Sequence, residues 1–351
     1  MRDSQFPLPD HFRDVRRMRS LLFSILGLKI EKKIQGLSSK IGLGKSRGNS
    51  INGMKKVLVT GSQGFIGRNL VHALRETDYK LFTLEETFKP GSGKRIDIST
   101  QALEPIFSSI KPDVVIHLAA KMDVRESFAD PIRDLEVNGL GTLKVLRASQ
   151  LSGCQNFVYV ASGGAIYDSN SPMPLTENSP ESRPVSPYGL SKRLGEDYVR
   201  LLCEKAQTSW TSIVLSNCYG QVEDHQRGVI FEFWKAIAEG QRPKIYGSEI
   251  TRDFVYISDV VNALMKTIDS PTNTRVNVSS QSEISLLDLF NKIAKIMKSE
   301  IEPILFDAHI GDVLRNCLSN TKAKELLGWE PSVNLDQGLK LSLPIPKSEK
   351  K

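Results

Sequence analysis

One stretch constrains the fold more than any other, residues 55–70. It opens with the short apolar, β-branched run Val57-Leu58-Val59, continues through glycines at Gly61, Gly64 and Gly67, and passes into a helical pattern with Ile66, Leu70, Ala73 and Leu74 on one face. Strand, tight turn and helix in that order make the first unit of a parallel α/β sheet. Glycines at this spacing let the backbone turn sharply and come close to a pyrophosphate. The free N–H groups and dipole of the following helix favour the anion. The plain alternative is a glycine turn that packs helix on sheet and binds nothing.

From Met54 onward, candidate strands and helices alternate, which predicts a doubly wound, Rossmann-type α/β fold. The 351 residues leave room for a smaller C-terminal lobe. We expect a dinucleotide-binding part over 54–215, a substrate lobe over 216–340 with some segments returning to the first part, and a tail from 341. Residues 1–53 stand apart. They hold eleven basic and four acidic side chains, a balance of +7 that equals the net charge of the whole chain. The rest is close to neutral, so no nucleic-acid surface is implied for the folded body. The apolar run 21–28 is brief, and no small-residue cleavage site follows it. Residues 36–53 are rich in Gly, Ser and Lys, like a flexible linker. We read 1–53 as a disordered or loosely helical basic appendage. A membrane-surface helix, or a mis-assigned start with Met54 as the true beginning, are the other readings.

No apolar run approaches the roughly 18 residues of a membrane span. Cys154, Cys203, Cys218 and Cys317 are scattered, without metal-ligand spacing, and read as reduced thiols of a cytoplasmic protein. The second strand, residues 80–85, ends in Glu85, about 20 residues beyond the glycine turn. An acid there suits a ribose diol and favours NAD over NADP. Asp97 and Ile98 are placed to flank the adenine. His117 lies inside an apolar strand, where a packed histidine is the simpler reading.

Tyr188 and Lys192 are four apart, so a helix sets them on one face. A free phenol, with its reference pKa of about 10, is a poor base. A nearby ammonium stabilises the phenolate, and a cationic nicotinamide ring adds to that. Such a tyrosine could remove a proton from a sugar hydroxyl while hydride leaves the same carbon. Ser162, at the end of the strand before, could orient the reacting oxygen. Alone, a Tyr-x-x-x-Lys pair is common on helices. Its order here is telling: glycine turn, acid, strand-end serine, tyrosine, lysine.

That order resembles the extended short-chain dehydrogenase/reductase family, and within it the NAD-dependent nucleotide-sugar epimerases and dehydratases. The resemblance covers roughly 54–335. It includes Gly61, Gln63, Gly64, Phe65, Ile66 and Gly67 in the turn, then Leu118, Ala119 and Ala120, and Asn138 in Val137-Asn138-Gly139. Tyr188 and Lys192 follow, then Asn217-Cys218-Tyr219-Gly220, the run from Arg252 to Val260, and Gly328-Trp329. It implies NAD as cofactor and a nucleotide sugar, a UDP-sugar by family habit, as substrate. It places Asn217 and Arg252 at the diphosphate and Asp312 at a ribose hydroxyl. It also implies a homodimer that uses the helix after Tyr188.

Some positions depart from the family pattern. Gly164 or Ala165 replaces a hydroxyl residue beyond Ser162, and Val214 and His309 stand where arginines are usual. The acid pair of the 4,6-dehydratases is absent. The resemblance therefore implies a 4-epimerase of the UDP-glucose type, with Tyr188 as base, Lys192 as its partner and Ser162 as the orienting hydroxyl. A keto-sugar-nucleotide reductase and a non-catalytic dinucleotide-binding protein remain as alternatives.

Overall fold

Four strands that carry almost no exposed side chain form the centre of the main sheet. They are β1 (Lys56–Thr60), β3 (Val114–His117), β4 (Asn156–Ser162) and β5 (Ser209–Leu215). With both faces covered, such strands read as nearly continuous apolar runs. β2 (Lys80–Leu84) and β9 (Thr274–Val278) complete the order β2-β1-β3-β4-β5-β9, and every pairing is parallel. The computed structural model describes residues 54–84, 96–168, 170–221, 228–308 and 313–343. Stretch 1–53, Glu85, His309, Asp312, most of loop 221–228 and the end of the tail lie outside the described residues.

Side-chain alternation along β1 sorts the two layers. Leu58 joins a core with Phe107 of α2 (Glu104–Ile110), Leu146 of α5 (Thr142–Leu151) and Val199 of α7 (Pro187–Ala206). Val57 and Val59 join the opposite core with Leu70 and Leu74 of α1 (Phe65–Arg75), Val260 and Leu264 of α9 (Ile257–Asp269), and Leu327 of α11 (Thr321–Leu327). Between α2 and α5 run two short helices, α3 (Val124–Ala129) and α4 (Pro131–Leu135), then a π-helical segment, Glu136–Gly141. A four-residue turn of helix, α6 (Gly163–Ile166), follows β4.

The C-terminal part has its own core around Phe233, Phe254, Phe290 and Leu339. α8 (Val229–Ala238), α10 (Leu286–Ile296) and α12 (Leu335–Ser342) pack there. So does a small sheet in which β8 (Thr251–Tyr256) lies between β6 (Asn217–Tyr219) and β10 (Glu283–Ser285). β7 (Lys244–Tyr246) pairs with β11 (Ile304–Phe306). β9 pairs with β5 of the main sheet.

The main sheet changes direction between β1 and β3, since β1 leads outward to β2 while β3 starts the other half. Ligands of open α/β sheets bind at such a switch point, beyond the carboxyl ends of the strands. A buried relay ties these two strand ends together. The Ala119 N–H donates to Thr60 Oγ1 (3.2 Å), which lies 2.7 Å from His117 Nδ1, and His117 Nε2 lies 3.0 Å from Thr142 Oγ1. Thr142 in turn donates to the Asn138 carbonyl (2.7 Å). The partners fix the tautomer: Nδ1 accepts and Nε2 donates. His117 is therefore the packed, hydrogen-bonded residue its apolar neighbours imply.

Burial, with a smaller contribution from the charge of Lys192, pushes His117 down to about 3. Its folded pKa lies below the unfolded value of about 6.5. The folded state therefore binds fewer protons, and stability falls as pH drops from about 6.5 toward 3. At pH 5 the loss is about 2 kcal/mol relative to pH 8. His117→Gln should lose less stability than the wild type over that interval, by about this amount, in urea unfolding at the two pH values.

Candidate active site

Each glycine of the turn has a distinct physical role. Gly61 has φ +67°, and a Cβ there would stand 2.6 Å from the Ala119 nitrogen, so its bareness lets β1 and β3 close on each other. A Cβ on Gly67 would lie 2.2 Å from the Gly61 carbonyl oxygen, so α1 could not seat. Gly64 differs. Its φ is −70°, and an added Cβ would meet only the Gly61 oxygen, at 3.3 Å. Gly64 is the N-cap of α1, which has no side-chain cap and no acid in its first turn. Backbone N–H groups are thus left for an anion over an open glycine. Ser62 Oγ, buried in the same turn, has no hydrogen-bond partner. This cradle fits a dinucleotide pyrophosphate.

Tyr188 and Lys192 are presented by the first turns of α7. Ser186 caps the helix by accepting from the Gly189 N–H (3.1 Å), and Pro187 occupies the first helical position. The cap fixes where the helix begins, and so where Tyr188 stands. Its hydroxyl is hydrogen-bonded to Ser162, at the end of β4. Lys192 is buried with its Nζ 4.2 Å from the centre of the Tyr159 ring, and the Tyr159 hydroxyl donates to the Lys192 carbonyl (2.9 Å). The structure thus brings Ser162, Tyr188 and Lys192 together.

Their electrostatics differ from the simple expectation. Burial holds the Tyr188 phenol above its usual range, Asp134 adds to the rise, and the Ser162 hydrogen bond offsets part of it. Burial likewise pushes Lys192 down to about 7, against the pull of Glu196 and Asp134. The ammonium is itself held near neutrality, and the hydroxyl of Ser162 is the group seen to lower the phenol.

Several expected residues have clear partners. The Asn138 carboxamide is fully buried: Oδ1 accepts from the Lys121 N–H (2.8 Å), and Nδ2 donates to the Lys121 carbonyl (3.0 Å) and to Asp134 (3.1 Å). Its side chain holds the segment after Ala120 in place. Asp97 accepts from Ser99 and pairs with Arg133 (2.9 Å), which together hold it down at about 2 against the upward push of burial. Ile98 is buried, and a Cβ on Gly141 would touch it at 2.9 Å. Gly164 is open, with Asn316 Nδ2 3.5 Å from where its Cβ would be. Val214 is wholly buried in β5, so its side chain serves the core.

On the other side, Asn217 Nδ2 donates to the Asp253 carbonyl (3.0 Å), and Arg252 Nη1 donates to the carbonyls of Thr251 and Val313 (both 2.8 Å). Asp253 is fully buried and accepts from Ser216, the N–H and hydroxyl of Ser280, and the N–H groups of Gln281 and Leu318. Neighbours on a strand point to opposite faces. The Cys317 thiol also lies against Asp253.

The sequence reading missed Tyr159, Ser191 and Asp134. Ser191 Oγ donates to the fully buried Asp134 (2.5 Å). The available signal was local: Asp134 stands four before Asn138, and Ser191 immediately before Lys192.

A switch-point cradle beside a Ser-Tyr-Lys cluster defines a dinucleotide-dependent enzyme of the short-chain dehydrogenase/reductase type. The chain belongs to the NAD dependent epimerase/dehydratase family, whose model matches residues 57–279. It is 32% identical over 305 residues to the UDP-glucose 4-epimerase of Mycolicibacterium smegmatis, across 81% of this chain and 96% of that one. Among solved structures it resembles the Thermotoga maritima UDP-glucose 4-epimerase with UDP-glucose (TM-score 0.77, 32% identity, 82% of this chain and 97% of that chain). It also resembles the Thermus thermophilus UDP-glucose 4-epimerase in complex with NAD (TM-score 0.74, 29% identity, 82% and 97%).

The glycine geometry separates folding from binding. Gly67→Ala should cost about 1–3 kcal/mol in denaturant unfolding, or prevent folding. Gly64→Ala should stay within about 0.5 kcal/mol of wild type, yet weaken NAD about tenfold or more by calorimetry.

Proposed function

We propose that the protein is an NAD-dependent nucleotide-sugar 4-epimerase that acts on a UDP-sugar. The observation that supports this best is the meeting of Ser162, Tyr188 and Lys192 between the end of β4 and the start of α7. In this reading NAD, held at Gly61, Gly64 and Gly67, supplies the reversible redox capacity. Tyr188 takes the proton of the C4 hydroxyl and later returns one. Ser162 holds the C4 oxygen. Lys192 supplies positive charge that stabilises the phenolate. Arg252 and Asn217 take the diphosphate, for which a guanidinium fork is suited.

The division at about residue 215 belongs to the same reading, with 54–215 mainly for the cofactor and 216–340 mainly for the sugar nucleotide. So does a homodimer. Leu190, Leu194, Tyr198 and Leu201 lie along one exposed stripe of α7, and Phe128, Ile132 and Leu135 are exposed on α3 and α4. The two sets are continuous, because a Cβ on Gly139 would touch both Leu135 (2.9 Å) and Leu194 (3.5 Å). A contiguous apolar patch of this kind calls for a partner, and a second copy supplies a matching face. All four cysteines are unpaired and three are buried, which supports a reducing compartment such as the cytoplasm. Among the described residues no helix is long and apolar enough to cross a membrane.

The purified protein should carry NAD, detectable by mass spectrometry, and should interconvert 4-epimers of a nucleotide sugar without added cofactor. Consumption of added reduced cofactor one-for-one would show a reductase instead. Tyr188→Phe should lose at least about 100-fold in kcat while keeping bound NAD, and near-normal turnover would exclude Tyr188 as the base. Ile132→Lys with Leu190→Lys should sediment as a monomer where the wild type sediments as a dimer.

A further inference from the structure

The short helix α4 carries a charge whose place in the fold suggests a further role. Asp134 is fully buried. Its two oxygens accept from neutral donors, Asn138 Nδ2 (3.1 Å) and Ser191 Oγ (2.5 Å). Among the described residues no cation bridges it. Burying a carboxylate this way is costly unless a nearby charge compensates it. The neighbouring ammonium is that of Lys192, also buried and also without a bridging carboxylate among the described residues.

Of the other groups facing Lys192, Glu196 adds the larger negative potential but shares it with Arg275. Glu196 is held by both Nε and Nη2 of Arg275 (2.8 and 2.9 Å). His117 is neutral within its threonine relay, and Tyr159, raised well above the usual phenol range by burial, stays protonated. Ser162 is spent on Tyr188. Asp134 thus has two connections to the reacting groups. Through Ser191 it grips α7 between Tyr188 and Lys192, and through space it offsets the ammonium.

We propose that Asp134 is a positioning residue for the reaction, holding α7 at Ser191 and, together with Glu196, supplying the negative charge that keeps Lys192 an ammonium beside Tyr188. This rests on the reading of Tyr188 as the base. A negative charge favours the protonated form of both groups, and Asp134 raises both. Removing that charge therefore moves both limbs of the pH–rate profile the same way, toward acid. A residue that only shaped the helix would change the height of the profile and leave its position alone.

The test uses the NAD-loaded protein and a nucleotide sugar it turns over. Asp134→Asn keeps the size and an acceptor for Ser191 while removing the charge. Its kcat profile should shift to lower pH by about half a unit or more. Asp134→Glu retains the charge and should restore the position. Ser191→Ala breaks the grip but not the charge, and should leave the position unmoved whatever its height. An Asp134→Asn profile that stays in place, or a Ser191→Ala profile that moves as far, would overturn the proposal. Titration of Lys192 by NMR on 15N-lysine-labelled protein gives a second readout, with a lower midpoint expected in Asp134→Asn. An unchanged midpoint there rejects the role of Asp134, whereas a wild type with no turnover on any nucleotide sugar rejects the proposed function.

Discussion

An ammonium buried inside a helix is the constraint around which the site is arranged. Left alone in apolar surroundings, Lys192 would be neutral. It keeps its charge near pH 7 because the face of Tyr159 lies 4.2 Å away and because Glu196 and Asp134 add negative potential. Tyr159 also pins the lysine backbone with its hydroxyl, and Gly195 makes that approach feasible, since a Cβ there would stand 2.7 Å from the same oxygen. A lysine poised near 7 responds to any charge brought beside it. A bound phosphate would raise it and a cationic ring would lower it, so a charged ligand would share with the protein in setting the protonation of the site.

The stretch 130–142 transmits this arrangement to the rest of the fold. Arg133 reaches Asp97 and Ser99, Asp134 reaches Ser191, and Asn138 reaches both the N–H and the carbonyl of Lys121. These contacts project in different directions from one short helix and the turn after it. The π-helical geometry over Glu136–Gly141 accompanies them. Such segments often occur where a helix must present a side chain out of regular register. Here the side chain is Asn138, whose carboxamide behaves as one more backbone pairing for the strand end that it faces.

What the sequence made legible follows from the range of the forces involved. β-branched runs, glycine spacing and helix starts are local signals, and β1, the turn, α1 and the start of α7 stand where they point. The Ser162-Tyr188-Lys192 set was legible because two members share a helix and the third ends a strand. Tyr159 and Asp134 were not, since their importance lies in contacts across 33 and 57 positions, to Lys192 and Ser191. Arg252 and Asp253 are adjacent in the sequence, but strand geometry sends their side chains apart, and Asp253 gathers serine and backbone donors from distant segments. Glu85 and Asp312 fall outside the described residues.

That nest of donors around Asp253 also ties the main sheet to the small sheet of the C-terminal part. Ser162 stands opposite Leu215 in the register of β4 and β5. The next residue, Ser216, donates to Asp253 (3.3 Å), and Asp253 adjoins Arg252 on β8. The Ser162 hydroxyl and the Arg252 guanidinium are therefore joined by a short run of hydrogen-bonded neighbours. Ser280, Gln281 and Leu318 brace the same carboxylate from two further segments. Burial raises the pKa of Asp253, while its hydrogen bonds oppose the rise and favour the charged form. A protonated Asp253 would accept fewer of these bonds and loosen the link between β5 and β8. In the proposed function, the spacing between Ser162 and Arg252 thus depends on one buried carboxylate.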